Sequence, residues 1–116
     1  MASFSVEVGE SEEATVVRFI GLADLGAEST IEREVTRLTS GHHQRLIVID
    51  FAQLDMIASL ALGQLVRLHH GLRRWGGRVR LANPTAEVRE VLERCRLTGM
   101  LQVFPSVQEA IDAPVD

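Results

Sequence analysis

The chain has no lysine; all 12 of its basic residues are arginine. That absence removes any chemistry needing an amine side chain, such as a Schiff base or the lysine of a phosphate-binding P-loop. There is one cysteine, Cys95, so no internal disulfide framework can form, which fits a reducing compartment. No apolar run reaches the ~18 residues of a membrane span. The opening MASFSVEVGE has neither the basic flank nor the apolar stretch of a signal peptide. We therefore expect a cytoplasmic protein with no membrane span and no export signal.

What is present suits a folded domain. Of 116 residues, 46% are hydrophobic and 24% charged, which excludes disorder as the main state. The length predicts one domain over residues 1–116. The net charge of −4 argues against a dedicated nucleic-acid binder. Its distribution is uneven: residues 1–55 carry −6, residues 56–86 carry +5 with no acid at all, and residues 87–116 carry −3. The basic middle reads either as solvated helix and strand surface or as a polar contact patch.

Periodicity predicts the elements. Phe4, Val6 and Val8 alternate with Ser5 and Glu7, as in a half-buried strand. Residues 15–20 form a second strand, which Gly21 should break. Ala27, Ile31, Val35 and Leu38 mark one helical face, capped by Asp24 or by a Ser29/Glu32 capping box and stopped at Ser40-Gly41. Residues 46–49 are a continuous apolar run ending in Asp50, typical of a central strand covered on both faces. A polar segment, Gln53 to Ser59, leads into a long helix whose buried side is Leu62, Leu65, Leu68, Leu72 and Trp75, ending at Gly76-Gly77. Residues 79–82 are a short strand. Asn83-Pro84 should cap a helix carrying Val88, Val91, Leu92 and Cys95. Residues 101–103 are a last strand, and Ser106 with Glu109 opens a terminal helix whose buried side is Val107, Ala110 and Ile111. Strands separated by helices imply parallel pairing. The expected fold is α/β: a small mixed sheet, an N-terminal hairpin followed by parallel strands, with helices packed against it.

The candidate chemistry is thin. Asp50, at the end of a central strand, stands where a receiver domain keeps its phosphoacceptor. The metal-binding carboxylates and the lysine of that site are absent, so Asp50 reads as a strand-end residue bonded to loop amides. His42-His43 and His69-His70 are adjacent pairs whose side chains should point apart, with no zinc-type spacing. Cys95 reads as a small buried hydrophobe. Ser59 suits a helix cap; the nucleophile elbow a catalytic serine needs is missing around it. These readings leave no catalytic residue, metal site or cofactor, and a domain that acts by binding.

Several segments together resemble the STAS domain, the module shared by sulfate transporters and anti-sigma-factor antagonists. They are the Gly21-Leu22-Ala23-Asp24 turn and the stretch from Leu46 to Ile111: a strand ending in Asp, a small-residue turn into a long helix, Gly-Gly before a strand, Asn83-Pro84 with Val88, and Phe104 with Ser106 and Ala110. The family turn reads D-S-S/T-G-L-G, and its second hydroxyl residue is phosphorylated by a kinase that is also the anti-sigma factor. Here it reads Ala58-Ser59-Leu60-Ala61-Leu62-Gly63. Leucine replaces the phosphoacceptor and alanine the preceding acid.

The resemblance implies an anti-sigma-factor antagonist that binds a serine-kinase-type anti-sigma factor through Asp24, Ala58, Ser59, Leu60, Ala61, Gly63 and Arg67, with Arg73 and Arg74 adding a basic rim. It also implies no modification at the usual position, Ser59 being the one hydroxyl that could take a phosphate in its place. The alternative within the fold is an accessory STAS subunit or scaffold of a lipid-transport ABC complex or a stress-signalling assembly. A homodimer through the edge of the first strand is compatible with either.

Overall fold

A computed structural model describes residues 3–40 and 45–114; Gly41 and the His42-His43 pair lie outside the described residues. The alternating N-terminal segment forms β1 (Phe4–Glu10), an edge strand that half-buries Phe4 and Val6. It turns back into β2 (Thr15–Ala23), paired antiparallel. Phe4 meets Phe19 edge-on with ring centroids 5.2 Å apart, and Phe19 meets Phe51 at 5.8 Å, so an aromatic chain runs from the edge into the core.

Gly21 does not end β2. It has φ +99°, and a Cβ built there would lie 2.1 Å from the Ser3 carbonyl oxygen. Glycine lets the strand distort and continue to Ala23.

Strand β3 (Leu46–Ile57) corrects a second expectation, since it runs well past Asp50. Opposite β2 it fits in one extra residue between the partners of Arg18 and Ile20, and another between those of Gly21 and Leu22. These bulges change the spacing of core-facing residues to Phe51, Leu54 and Ile57. The period-2 signal is lost, and the sequence looks like loop. Strand β4 (Arg78–Ala82) pairs only with Leu46 to Asp50, and β5 (Gln102–Phe104) pairs with β4. The sheet order is β1-β2-β3-β4-β5, with every pair after the first parallel.

Four helices accompany the sheet among the described residues. Helices α1 (Glu28–Thr39), α2 (Ser59–Arg73) and α3 (Ala86–Arg94) bury Ile31, Val35, Leu38, Leu65, Leu68, Val88 and Leu92 with Val17, Ile47, Ile49 and Leu81 of the sheet. Helix α4 (Val107–Asp112) covers the other face through Ala110, against Val48 and Ala82.

Local details depart from the sequence reading in identifiable ways. Ser29 lies inside α1, so no capping box forms there; Asp24 starts a short 3₁₀ turn (Leu25–Ala27) that runs into the helix. Trp75 falls beyond the end of α2 and is 51% exposed. Asn83 is not the cap of α3. It takes φ +58°, and Thr85 caps instead, accepting from the Val88 amide at 3.2 Å. Cys95 sits past the last turn of α3 and is exposed, because the apolar stripe ends at Leu92. The Ser106/Glu109 cap forms as expected, with the Glu109 amide 3.1 Å from the Ser106 hydroxyl oxygen.

The role of Arg80 is not legible from residue order alone. It is 1% exposed. Its guanidinium donates to the carbonyls of Ala110 and Ala113, each at 2.8 Å, and of Pro114 at 2.9 Å. Its carbon lies 5.5 Å from the Phe104 ring centroid. Arg80 thus fastens the end of α4 to the sheet, satisfying carbonyls a helix C-terminus leaves open. Arg80→Met should destabilise the protein by about 3 kcal/mol, because bonds to a charged donor are lost and buried acceptors are stranded. Chemical denaturation measures this, and hydrogen exchange should show α4 opening first.

Candidate functional site

The far ends of β2 and β3 extend beyond β4. Their last link is the Ala58 amide, which donates to the Ala23 carbonyl at 2.8 Å. Two chain reversals, the turn at Asp24 and the entry to α2, are thereby held side by side. Asp24 is half-buried, and its carboxylate accepts from the Gly26 amide at 2.9 Å. It shapes the turn.

Ala58 is extended (φ −87°, ψ 156°) and holds the N-cap position of α2, but alanine provides no capping acceptor. This corrects the expectation for Ser59, which is the first helical residue and exposed. No acid stands in the first turn of α2. The first turn of α2 therefore supplies no side-chain counterion of its own for the helix's partial positive charge. Leu60 is 49% exposed beside it. Ala61 and Leu62 are buried and anchor the turn, while Gly63 faces solvent. Ala61 can therefore support a contact here without making one through its side chain.

Two residues at this corner escaped the sequence reading. Leu25, in the Asp24 turn, is 68% exposed, and Met56, near the end of β3, is 40% exposed. Leu25 directly follows the Asp24 motif, which could have drawn attention to it. Met56 was hidden inside a segment that reads as a polar loop. With Leu60 they are three exposed apolar side chains near the adjoining ends of β2, β3 and α2.

The arginines separate. Arg67 spans the two helices: its Nε donates to Gln64 Oε1 at 3.1 Å, and its Nη2 donates to the Glu32 carbonyl at 3.3 Å and to Thr36 Oγ1 at 3.4 Å. Arg73 and Arg74 are at the opposite end of α2, about 21 Å from Ser59 at 1.5 Å per residue. They cannot form a rim around Leu60.

Asp50 is not at a strand end. It is buried within β3 at the point where pairing with β4 stops. Its carboxylate accepts from Arg18 Nε at 3.2 Å, from Asn83 Nδ2 at 3.2 Å and from the Ala52 amide at 3.0 Å. Arg18 also reaches Glu7 at 3.2 Å. The bond to Asp50, and then that to Glu7, hold the Arg18 guanidinium above its ordinary pKa. Among the described residues no group of three His, Cys, Asp or Glu side chains could hold a metal ion. His69 and His70 do not point apart; their rings meet edge-on with centroids 5.2 Å apart.

Comparison with known proteins places this geometry. The STAS domain family matches residues 5–110. No curated protein sequence matches the chain. Among solved structures, the chain is similar to the unphosphorylated form of the anti-sigma factor antagonist SpoIIAA, a Bacillus cell fate determinant, with TM-score 0.79, 25% identity and coverage of 95% of this chain and 94% of that one. An anti-sigma factor antagonist from Mycobacterium paratuberculosis gives TM-score 0.84 at 18% identity, over 93% and 91% of the two chains. A sulfate transporter family protein from Wolinella succinogenes gives 0.74 at 12% identity, over 87% and 84%.

The empty cap at Ala58 has a measurable consequence. Ala58→Asp should stabilise the fold by about 1 kcal/mol by giving the first turn of α2 an acceptor and a negative charge. Ser59→Ala should leave stability within ~0.5 kcal/mol, because Ser59 is not the capping residue. Urea denaturation of the two variants tests both statements.

Proposed function

We propose that this chain, which belongs to the STAS domain family, is a regulatory binding module of the anti-sigma-factor-antagonist type. It docks onto a serine-kinase-type anti-sigma factor and so frees a sigma factor, without phosphorylation at the usual position. The contact is made by the corner around Ser59, Leu60 and Gly63, with Ala58 and Ala61 shaping it, Asp24 holding the adjacent turn and Arg67 at its border. The observation that carries this reading is Leu60, half exposed at the N-terminus of α2 where relatives keep a modifiable hydroxyl.

The physics of the corner supports docking. Covering an exposed leucine or methionine is worth roughly 1.5–3 kcal/mol when the side chain becomes fully buried. Leu25, Met56 and Leu60 together supply the apolar centre of a small interface. In a switched relative, a phosphate at the helix N-terminus would be held by the helix field and would add a charge of about −2 to that centre. Leucine accepts no phosphate, so this corner stays apolar and competent to bind. Ser59 is a poor substitute acceptor. One step along the helix start turns the side chain by about 100°.

The same leucine is compatible with an accessory or scaffolding STAS subunit, and the likeness to a transporter-family protein favours keeping that reading second. A pulldown with the kinase encoded by the same genome separates the two. Under the proposal, the kinase is retained, and Leu60→Asp weakens binding by about 30-fold, the effect of placing an unpaired charge in an apolar contact, ~2 kcal/mol. Incubation with the kinase and ATP leaves the intact mass unchanged. A phosphate mapped to Ser59, or undiminished binding by the Leu60→Asp variant, overturns the reading.

A further inference from the structure

We propose that β1 is a dimerisation strand: two copies of this chain join antiparallel through their β1 edges, about a dyad at Val6. Strand β1 ends the sheet, with β2 as its only strand neighbour among the described residues. It runs for seven residues, and its register with β2 has no bulge, unlike that of β2 with β3. It contains no proline, lysine or arginine. An edge of this kind lacks most of the devices that keep sheets from pairing. The other edge, β5, is only three residues long and is blunted by its shortness.

The ladder fixes which backbone groups are free. The Leu22 amide donates to the Ser3 carbonyl at 3.2 Å, in the same register that sets Phe4 opposite Gly21. Bonded and non-bonded pairs alternate along an antiparallel ladder, so Ser5, Glu7 and Gly9 bond to β2. The N–H and C=O groups of Phe4, Val6 and Val8 therefore point outward. The side chains of these three share the helix-covered face, where Phe4 and Val6 pack against the core and Val8 stays 38% exposed. Ser5 and Glu7 lie on the other face, where Arg18 holds Glu7 Oε1 at 3.2 Å.

This order of residues is self-complementary in one register. Outward residues must face outward residues, so the dyad falls on a residue and not between two. At Val6 it sets Val6 against its own copy and Phe4 against Val8, each pair exchanging main-chain bonds and sharing one apolar face. It also sets Ser5 against Glu7, where the hydroxyl can donate to the carboxylate oxygen not held by Arg18. A dyad at Glu7 would bring two carboxylates face to face. A dyad at Ser5 would carry Val8 past the first residue of the facing strand. A second copy meets both the apolar spacing and the Ser5–Glu7 match by symmetry, which is why it, and not a foreign strand, is the occupant. The join makes one sheet of two, with the α1–α3 layers on the same side. Only the short β5 edges stay open, so assembly closes at two copies.

Sedimentation velocity over a concentration series tests this. One joined strand is a small interface, so the dimer should form with a Kd of about 10–100 µM. Val8→Lys should weaken it at least about tenfold by placing a charge on the covered edge. Val6→Pro should do the same by removing the central outward donor. That N–H does not bond to β2, so the melting temperature should stay near the parent's. If the proline variant fails to fold, Val8→Lys carries the test, because Val8 is exposed in a single copy. In a Cys95→Ser background, a Ser5→Cys chain mixed with a Glu7→Cys chain should oxidise mainly to the mixed disulfide, since the two positions face each other across the dyad. A single monomeric species up to about 500 µM overturns the proposal, being well above the expected Kd. So does a dimer that either folded variant leaves unweakened, or a pair of homodisulfides that outruns the mixed one. The pairing uses no residue of the Leu60 corner, so dimerisation and kinase binding can each fail alone.

Discussion

A buried carboxylate at one branching point organises this molecule. Asp50 occupies the residue at which β3 loses its β4 neighbour and continues beside β2 alone. A charge buried without partners is expensive, and Asp50 answers that cost with three donors drawn from different parts of the sheet. Arg18 ties it to β2, Asn83 to the exit of β4, and the Ala52 amide to its own strand. The Asn83 amide in turn donates to the Phe104 carbonyl at 3.0 Å, which brings β5 into the same junction. Four strands therefore meet around one side chain.

Beyond that junction β3 has lost its β4 neighbour, and β1, β2 and β3 continue as a three-stranded extension in which Phe4, Ser5 and Val6 pair with Gly21, Ile20 and Phe19. A small sheet of this kind needs a packed apolar face. Phe51, Leu54 and Ile57 provide it by burial, and the Ala58–Ala23 bond closes the ladder. The turn at Asp24 and the first turn of α2 are thus carried outward on a rigid base. A surface that must meet another protein benefits from such preorganisation, because little ordering remains to be done on contact. The bulges that lengthen β3 relative to β2 set where the corner stands.

Regular repetition was legible in the sequence, and compensated irregularity was not. The helical faces of α1 and α2, the apolar run of β3 and the Ser106 cap can be read directly, because each obeys one simple period or spacing. The second half of β3 obeys none, since each bulge shifts the phase of burial. Trp75 and Cys95 look like extensions of apolar stripes, but each stands just past its helix, where the stripe no longer faces the core. Asn83 looks like a cap because it precedes a proline; its actual partner, Asp50, is 33 residues away. Arg80 is the hardest case. An arginine alternating with apolar neighbours suggests an open strand face, and only the return of α4 across that face buries it. At the corner, the motif marks Ser59 to Gly63 well, but Leu25 and Met56 become visible only once the two chain reversals are brought together.

The placement of Trp75 also shapes how this protein can be watched. It is the only tryptophan, and it is tethered just past the end of α2, roughly 20 Å from the apolar corner. Its emission therefore reports the wrong pole and would stay silent while a visitor settles around Leu60. The exposed thiol of Cys95, unique in the chain, offers a single point for attaching a dye. An optical titration of the corner must bring its own chromophore.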